Sequence, residues 1–109
     1  MATPPVSPRD AVRPMVPKMI ALSEEVIYGD IWERPGLSKR DRSLIVIASL
    51  IATYRPEQLR GHLNRALDNG VTKDEIAEVI THLAFYSGWP ASMTAARIAK
   101  EIMEERGLL

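Results

Sequence analysis

The sequence predicts an all-α domain of about five to six helices, and three observations carry that reading. Apolar residues recur with a helical period in successive windows, and capping residues stand at the heads of those windows. No run alternates apolar and polar residues for long enough to argue a strand. At 109 residues the chain makes one domain, able to bury roughly two thirds of its unfolded surface. Residues 1–17 read as a proline-rich arm and 18–109 as the helical domain.

Pro4, Pro5, Pro8, Pro14 and Pro17 make the first stretch a poor helix former. A helix then fits Lys18 to Tyr28, with Met19, Leu22 and Val26 on one stripe and Gly29 to end it. Asp30 to Leu37 reads as an ordered turn built on Pro35-Gly36. Ser38 with Asp41 forms a short version of the capping box, opening a helix to Tyr54. Pro56 suits the first position of the next helix, because its missing N–H is not needed there. Leu59, Leu63, Ala66 and Leu67 share a face of that helix, and Asn69-Gly70 closes it. Thr72 and Glu75 make a fuller capping box ahead of Ile76, Val79, Ile80 and Leu83. Ser87-Gly88-Trp89-Pro90 breaks the chain, and a last helix runs from Ala91 to Arg106 before Gly107.

One helix departs from the amphipathic pattern. Leu44 to Ala52 is apolar nearly all round, whereas a helix on a small monomer shows a polar face. A subunit interface resolves this, so the sequence predicts a closed, ring-like homo-oligomer. The β-branched run Ile45-Val46-Ile47 also fits a buried strand, but the capping signal and the lack of other strands argue against it.

Composition removes whole classes of function. Lys+Arg and Asp+Glu both number 14, and no basic stripe interleaved with aromatics exists, so nucleic acid is not an expected partner. With no cysteine, disulfides, thiolate metal sites and thiol redox chemistry are excluded. Two histidines supply a metal site poorly, so no metal site is expected. The longest apolar stretch is far short of the ~20 residues of a membrane span. No charged-then-apolar leader is evident either. The expected setting is cytoplasmic.

A few polar or amphipathic groups lie among these apolar helices, where burial without partners is costly. His62, in RGHLNRA, titrates near neutral pH and suits a general acid or base. A half-buried ring bonded to a neighbouring carbonyl explains it equally simply. His82 and Tyr86 stand four apart on one helix face. They are either hydrogen-bond donors to a developing oxyanion or a stacked pair at an interface. Arg42 and Arg34, near Trp32, suit bidentate binding of a small carboxylate, or are ordinary solvated arginines.

The order and spacing of GDIWERPGL, RDRSLIVIASL, EQLRGHLNRALDNGVTKDEI and Tyr86-Ser-Gly-Trp-Pro-Ala91 resemble the carboxymuconolactone decarboxylase family from about Leu22 onward. The wider superfamily includes alkyl hydroperoxide reductase D-type proteins with Cys-x-x-Cys-x-x-x-His. Laid on His62, those cysteine positions are Arg55 and Gln58, so the chain resembles the cysteine-free branch and not the peroxidases. The resemblance implies helical subunits in trimers or hexamers with pockets near subunit contacts. It also implies cofactor-independent conversion of 4-carboxymuconolactone to an enol-lactone and carbon dioxide, in aromatic catabolism by the β-ketoadipate route.

On that footing His62 is the proton donor, and His82 with Tyr86 bonds the lactone oxygen. Arg42 or Arg34 holds substrate carboxylates, and Trp32 and Trp89 shape the pocket. Where the decarboxylases read Gln-Ser-Ala-x-Tyr-Cys-Gly-x-Pro, this chain has His82-Leu-Ala-Phe-Tyr-Ser-Gly-Trp-Pro90. His82 and Trp89 therefore change pocket shape and polarity. Two rival readings keep the fold: an isomerase or hydrolase of another small carbonyl compound, and a non-catalytic oligomer that binds a small ligand.

Overall fold

Four helices from Leu37 onward are arranged around one apolar core. The computed structural model describes residues 7–109, so the first prolines, Pro4 and Pro5, lie outside the described residues. The described residues are helical and contain no strand. They hold α1 (Pro8–Val12), α2 (Pro17–Leu22), α3 (Lys39–Ala52), α4 (Pro56–Asp68), α5 (Lys73–Tyr86) and α6 (Trp89–Glu105). A π-helical stretch, Ser23–Tyr28, and a 3₁₀ turn, Ile31–Glu33, follow α2. The chain divides into two units, one ending at Gly36 and the other Leu37–Leu109.

The first unit is more helical than its prolines suggest. Pro8 sits in the first turn of α1, where no N–H is required of it, and Ser7 caps the helix by accepting from the Asp10 amide at 3.1 Å. Helix α2 ends at Leu22, six residues before the expected stop, and the chain continues as a π-helix to Tyr28. Gly29 closes it with an ordinary helical φ of −84°. What the position requires is the missing side chain: a Cβ there would lie 2.6 Å from the Glu25 carbonyl oxygen. Tyr28 stacks on buried Trp32 with ring centroids 6.0 Å apart, and the Arg9 guanidinium covers the Tyr28 ring at 4.8 Å.

In the second unit the caps form as expected. Ser38 Oγ accepts from the Asp41 amide at 3.0 Å. Thr72 and Glu75 cap each other's backbone in a complete box. Glu75 also pairs with Arg40, which ties the start of α5 to the start of α3. Helix α4 ends in a Schellman-type turn with Gly70 at φ +95° and the Val71 amide donating to Ala66 at 2.9 Å. The same turn ends α3 at Ala52, two residues before the expected stop, with Tyr54 in the left-handed slot at φ 55°. Helix α6 starts two residues earlier than expected, at Trp89, because Pro90 falls in its first turn.

Helix α3 is the central element. It packs against α4, α5 and α6, which explains how so small a unit accepts an almost wholly apolar helix. Ser43, Ile47 and Ile51 are buried, Leu44, Val46 and Leu50 half-buried, and Ile45 remains 56% exposed. The unit does not surround α3 completely, since Ser49 and Ala52 stay exposed as well. Exposed apolar bulk gathers at the α5–α6 corner, on Phe85, Tyr86, Trp89 and Met93.

Ser43 is 1% exposed, and its hydroxyl accepts from Asn69 Nδ2 at 2.9 Å. This bond pins the end of α4 to the start of α3. Asn69→Ala should destabilise the protein by about 1–2 kcal/mol, because it leaves a buried hydroxyl without its partner. Ser43→Ala made on top of Asn69→Ala should recover part of that loss. Urea unfolding of both variants checks this, and fully additive losses would contradict it.

Candidate active site

His62 lies on the edge of α4's core stripe. Leu59, Leu63 and Ala66 are at most 2% exposed, and this packing fixes the rotation of the helix. The imidazole is left half-buried, with Nδ1 shut off from solvent and without a hydrogen-bond partner. Burial pushes its pKa below the usual 6.5, and the Arg65 guanidinium one turn along pushes the same way. The resting ring is therefore neutral at pH 7.

Arg42 is in the first turns of α3, half-buried, with its Nε shielded from solvent. The Ser43–Asn69 bond places this end of α3 beside the end of α4, so Arg42 and Arg65 lie at the same end of the α3–α4 hairpin. Trp32 and Arg34 belong to the first unit. Trp32 is buried there, and Arg34 is exposed in extended backbone before Pro35.

His82 and Tyr86 do meet, with ring centroids 4.8 Å apart and tilted by 33°, both on the exposed side of α5. Phe85 meets Trp89 edge to face at 5.9 Å. Gly88, at φ +102°, makes the sharp turn between α5 and α6 that sets this contact. Below it the Ser92 hydroxyl donates to the Ile80 carbonyl at 2.9 Å inside the core.

Two apolar clefts run between α5 and α6. The larger, about 330 Å³, is walled by Ile76, Ile80, Ala99 and Met103, with Lys73 and Lys100 among its lining residues. The smaller, about 140 Å³, has Trp89 and Met93 in its wall. Neither is lined by His62, Arg42, His82 or Tyr86. Within the second unit the structure thus brings His82 together with Tyr86, and sets Trp89 beside a cleft. Sequence reasoning passed over Arg65, although its i+3 spacing from His62 within RGHLNRA signals a shared face. It also passed over Phe85, whose exposure a sequence pattern does not reveal. Among the described residues no group of three or more His, Asp or Glu side chains is placed to hold a metal ion.

The depressed pKa of His62 has a consequence for stability. Below 6.5 the unfolded chain takes up a proton that the folded chain refuses, so stability is lost as pH falls through the folded value. In urea unfolding from neutral pH downward, His62→Gln should flatten this decline. An unchanged slope in His62→Gln would contradict the assignment.

The carboxymuconolactone decarboxylase family profile matches residues 17–101. Over 81 residues the chain is 46% identical to a 4-carboxymuconolactone decarboxylase of Acinetobacter baylyi, covering 74% of this chain and 60% of that protein. It is 33% identical over 84 residues to a nitrosuccinic acid decarboxylase of Metarhizium robertsii, covering 77% and 59%. An uncharacterised 15.0 kDa protein of Paracoccus denitrificans is 33% identical over 97 residues, covering 87% and 72%. The chain spans about three fifths of the length of the two decarboxylases. With the family pattern running through α2 to α6, this chain belongs to the carboxymuconolactone decarboxylase family.

Proposed function

We propose that the chain acts as a cofactor-independent carboxy-lyase on a small carboxylated lactone or related acid, of the 4-carboxymuconolactone decarboxylase type in aromatic catabolism. The observation that carries this reading is its similarity to two proteins named as decarboxylases of different acids. Those acids share a chemistry. Loss of carbon dioxide leaves an electron pair that spreads onto oxygen, through the unsaturated lactone in one case and onto the nitro group in the other. A protein serving such a reaction has two tasks: to stabilise the developing oxyanion and to deliver one proton to carbon.

His62 is assigned the proton delivery, because it is titratable, half-buried and shielded at Nδ1. Arg42 receives a substrate carboxylate, and the His82–Tyr86 pair donates to the oxyanion. Trp89 gives the pocket a wall. Neither α5–α6 cleft is lined by His62 or by the His82–Tyr86 pair, and the α5–α6 corner exposes four large apolar side chains. Both facts favour a pocket completed where copies of the chain meet, in a trimer or hexamer.

Loss of ultraviolet absorbance from carboxymuconolactone, with nitrosuccinic acid assayed in parallel, tests the reaction. Because the His62 pKa lies below 6.5, its imidazolium fraction is still growing as pH falls through neutrality. The ratio kcat/KM should therefore rise toward acid pH and level off below the folded pKa. His62→Gln should lower kcat by roughly 10²–10⁴ and abolish that acid limb. His82→Gln should cost less, since the decarboxylase pattern carries glutamine there. Near-normal kcat in His62→Gln with collapse in His82→Gln would move the donor to the Tyr86 face. Light scattering at micromolar concentration should give three or six times 12.2 kDa, and a stable 12.2 kDa species would contradict the shared pocket.

A further inference from the structure

The exposed face shared by α5 and α6 carries both a wedge and a hole. Phe85 is 78% exposed and Trp89 60%, and the two rings meet edge to face beside exposed Met93. The hole is the larger α5–α6 cleft, where small side chains at Ala77, Ala96 and Ala99 leave space between the helices. A dry cavity of about 150 Å³ holds one benzene ring, so a cleft of about 330 Å³ has room for about two aromatic rings. Wedge and hole match in size.

Their positions match as well. The two clefts share Ile80, Thr81 and Ala96, so one groove follows the α5–α6 seam. On α5, Phe85 lies one turn after Thr81, and Ala77, in the wall of the larger cleft, one turn before it. On α6, Met93 and Ala99 stand three residues to either side of Ala96. A half-turn about an axis across the seam at Thr81 and Ala96 therefore lays Phe85 of one copy over Ala77 of another, and Met93 over Ala99. Ala77, Thr81, Phe85, Trp89, Met93 and Ala96 are all exposed and all uncharged, so no like charges are opposed along the seam. At these exposures each ring leaves about 150 Å² bare, so pairing two copies covers about 600 Å² from the rings alone, about half of what the smallest specific interfaces bury.

We propose that this face is a two-fold contact between copies of the chain, in which the Phe85–Trp89 wedge of each copy fills the larger cleft of the other. This rests on the reading that copies meet to complete a pocket, and it narrows that reading to one surface. A contact that pairs a surface with itself closes on two copies, so the assembly holds an even number, a hexamer and not a trimer. His82 and Tyr86, about a quarter turn round α5 from Thr81 and Phe85, stand at the edge of the contact, where the partner walls them on one side.

Single-cysteine crosslinking tests this, because the chain has no cysteine of its own. Under mild oxidation Thr81→Cys and Ala96→Cys, at the axis, should each give a disulfide-linked dimer and nothing larger, whereas Gln58→Cys, exposed on α4, should give none. Phe85→Asp carries a charge into the cleft, and Ala77→Trp fills the cleft from within. Either should halve the mass seen by light scattering and raise the dissociation constant of the contact about 30-fold or more. Circular dichroism checks that each variant folds, and the crosslinking reads the contact with both wedge and hole left as they are. Absence of crosslinking at both axis positions, or an unchanged mass in Phe85→Asp and Ala77→Trp, would overturn the proposal. A wild-type mass of three times 12.2 kDa would overturn the two-fold and leave the shared pocket in place, whereas 12.2 kDa would remove both. Crosslinked dimers as described, with no carbon dioxide released from carboxymuconolactone or nitrosuccinic acid, would leave the contact standing and remove the decarboxylase reading.

Discussion

The rotation of α4 is the constraint on which the second unit depends. Leu59, Leu63 and Ala66 lose essentially all contact with water where α4 meets α3 and α6, and each buried leucine contributes about 1.5–3 kcal/mol. The ion pairs around this contact, Arg60 with Glu101 and Arg106 with Asp68, are largely exposed and contribute little by comparison. It is therefore the apolar stripe that sets the helix in place. Once set, it leaves His62 half in and half out of the core with Arg65 beside it, and the electrostatics of the site follow.

The α5–α6 corner obeys a different logic. Gly88 turns the chain so sharply that Phe85 and Trp89 meet edge to face, and the Ser92 hydroxyl locks the base of the corner to α5. Nothing in the second unit covers the ridge this creates. Phe85, Tyr86, Trp89 and Met93 are each at least 60% exposed, an arrangement that persists in water only at a cost. The helices that supply Ile76, Ile80, Ile98 and Ile102 to the core thus also carry an uncovered apolar ridge at their junction.

Local signals in the sequence were read well because their physics is local. The Ser38 cap, the Thr72–Glu75 box and the Asn69-Gly70 terminus each satisfy backbone groups within a few residues, and each forms as the residue types dictate. The buried stripe of α4 was legible for the same reason, since a period of 3.6 identifies a face. Three features were not legible. Whether α3 was covered depended on how three other helices pack, which its own pattern does not contain. The π-helical continuation of α2 depends on close approach at Gly29, where the glycine reads in sequence as a simple stop. Of the site, the pairing of His82 with Tyr86 follows from i+4 spacing, whereas the desolvation of His62 Nδ1 is a property of the packed hairpin.

The central claim is that packing of α4 holds His62 neutral while the site is empty. The chain has two histidines, so ring-proton NMR titration resolves both, and His82→Gln assigns them. The account predicts a His62 midpoint below 6.5 in the ligand-free protein. A midpoint at or above 6.5 would contradict it, and would remove the electrostatic basis for placing proton delivery on this residue.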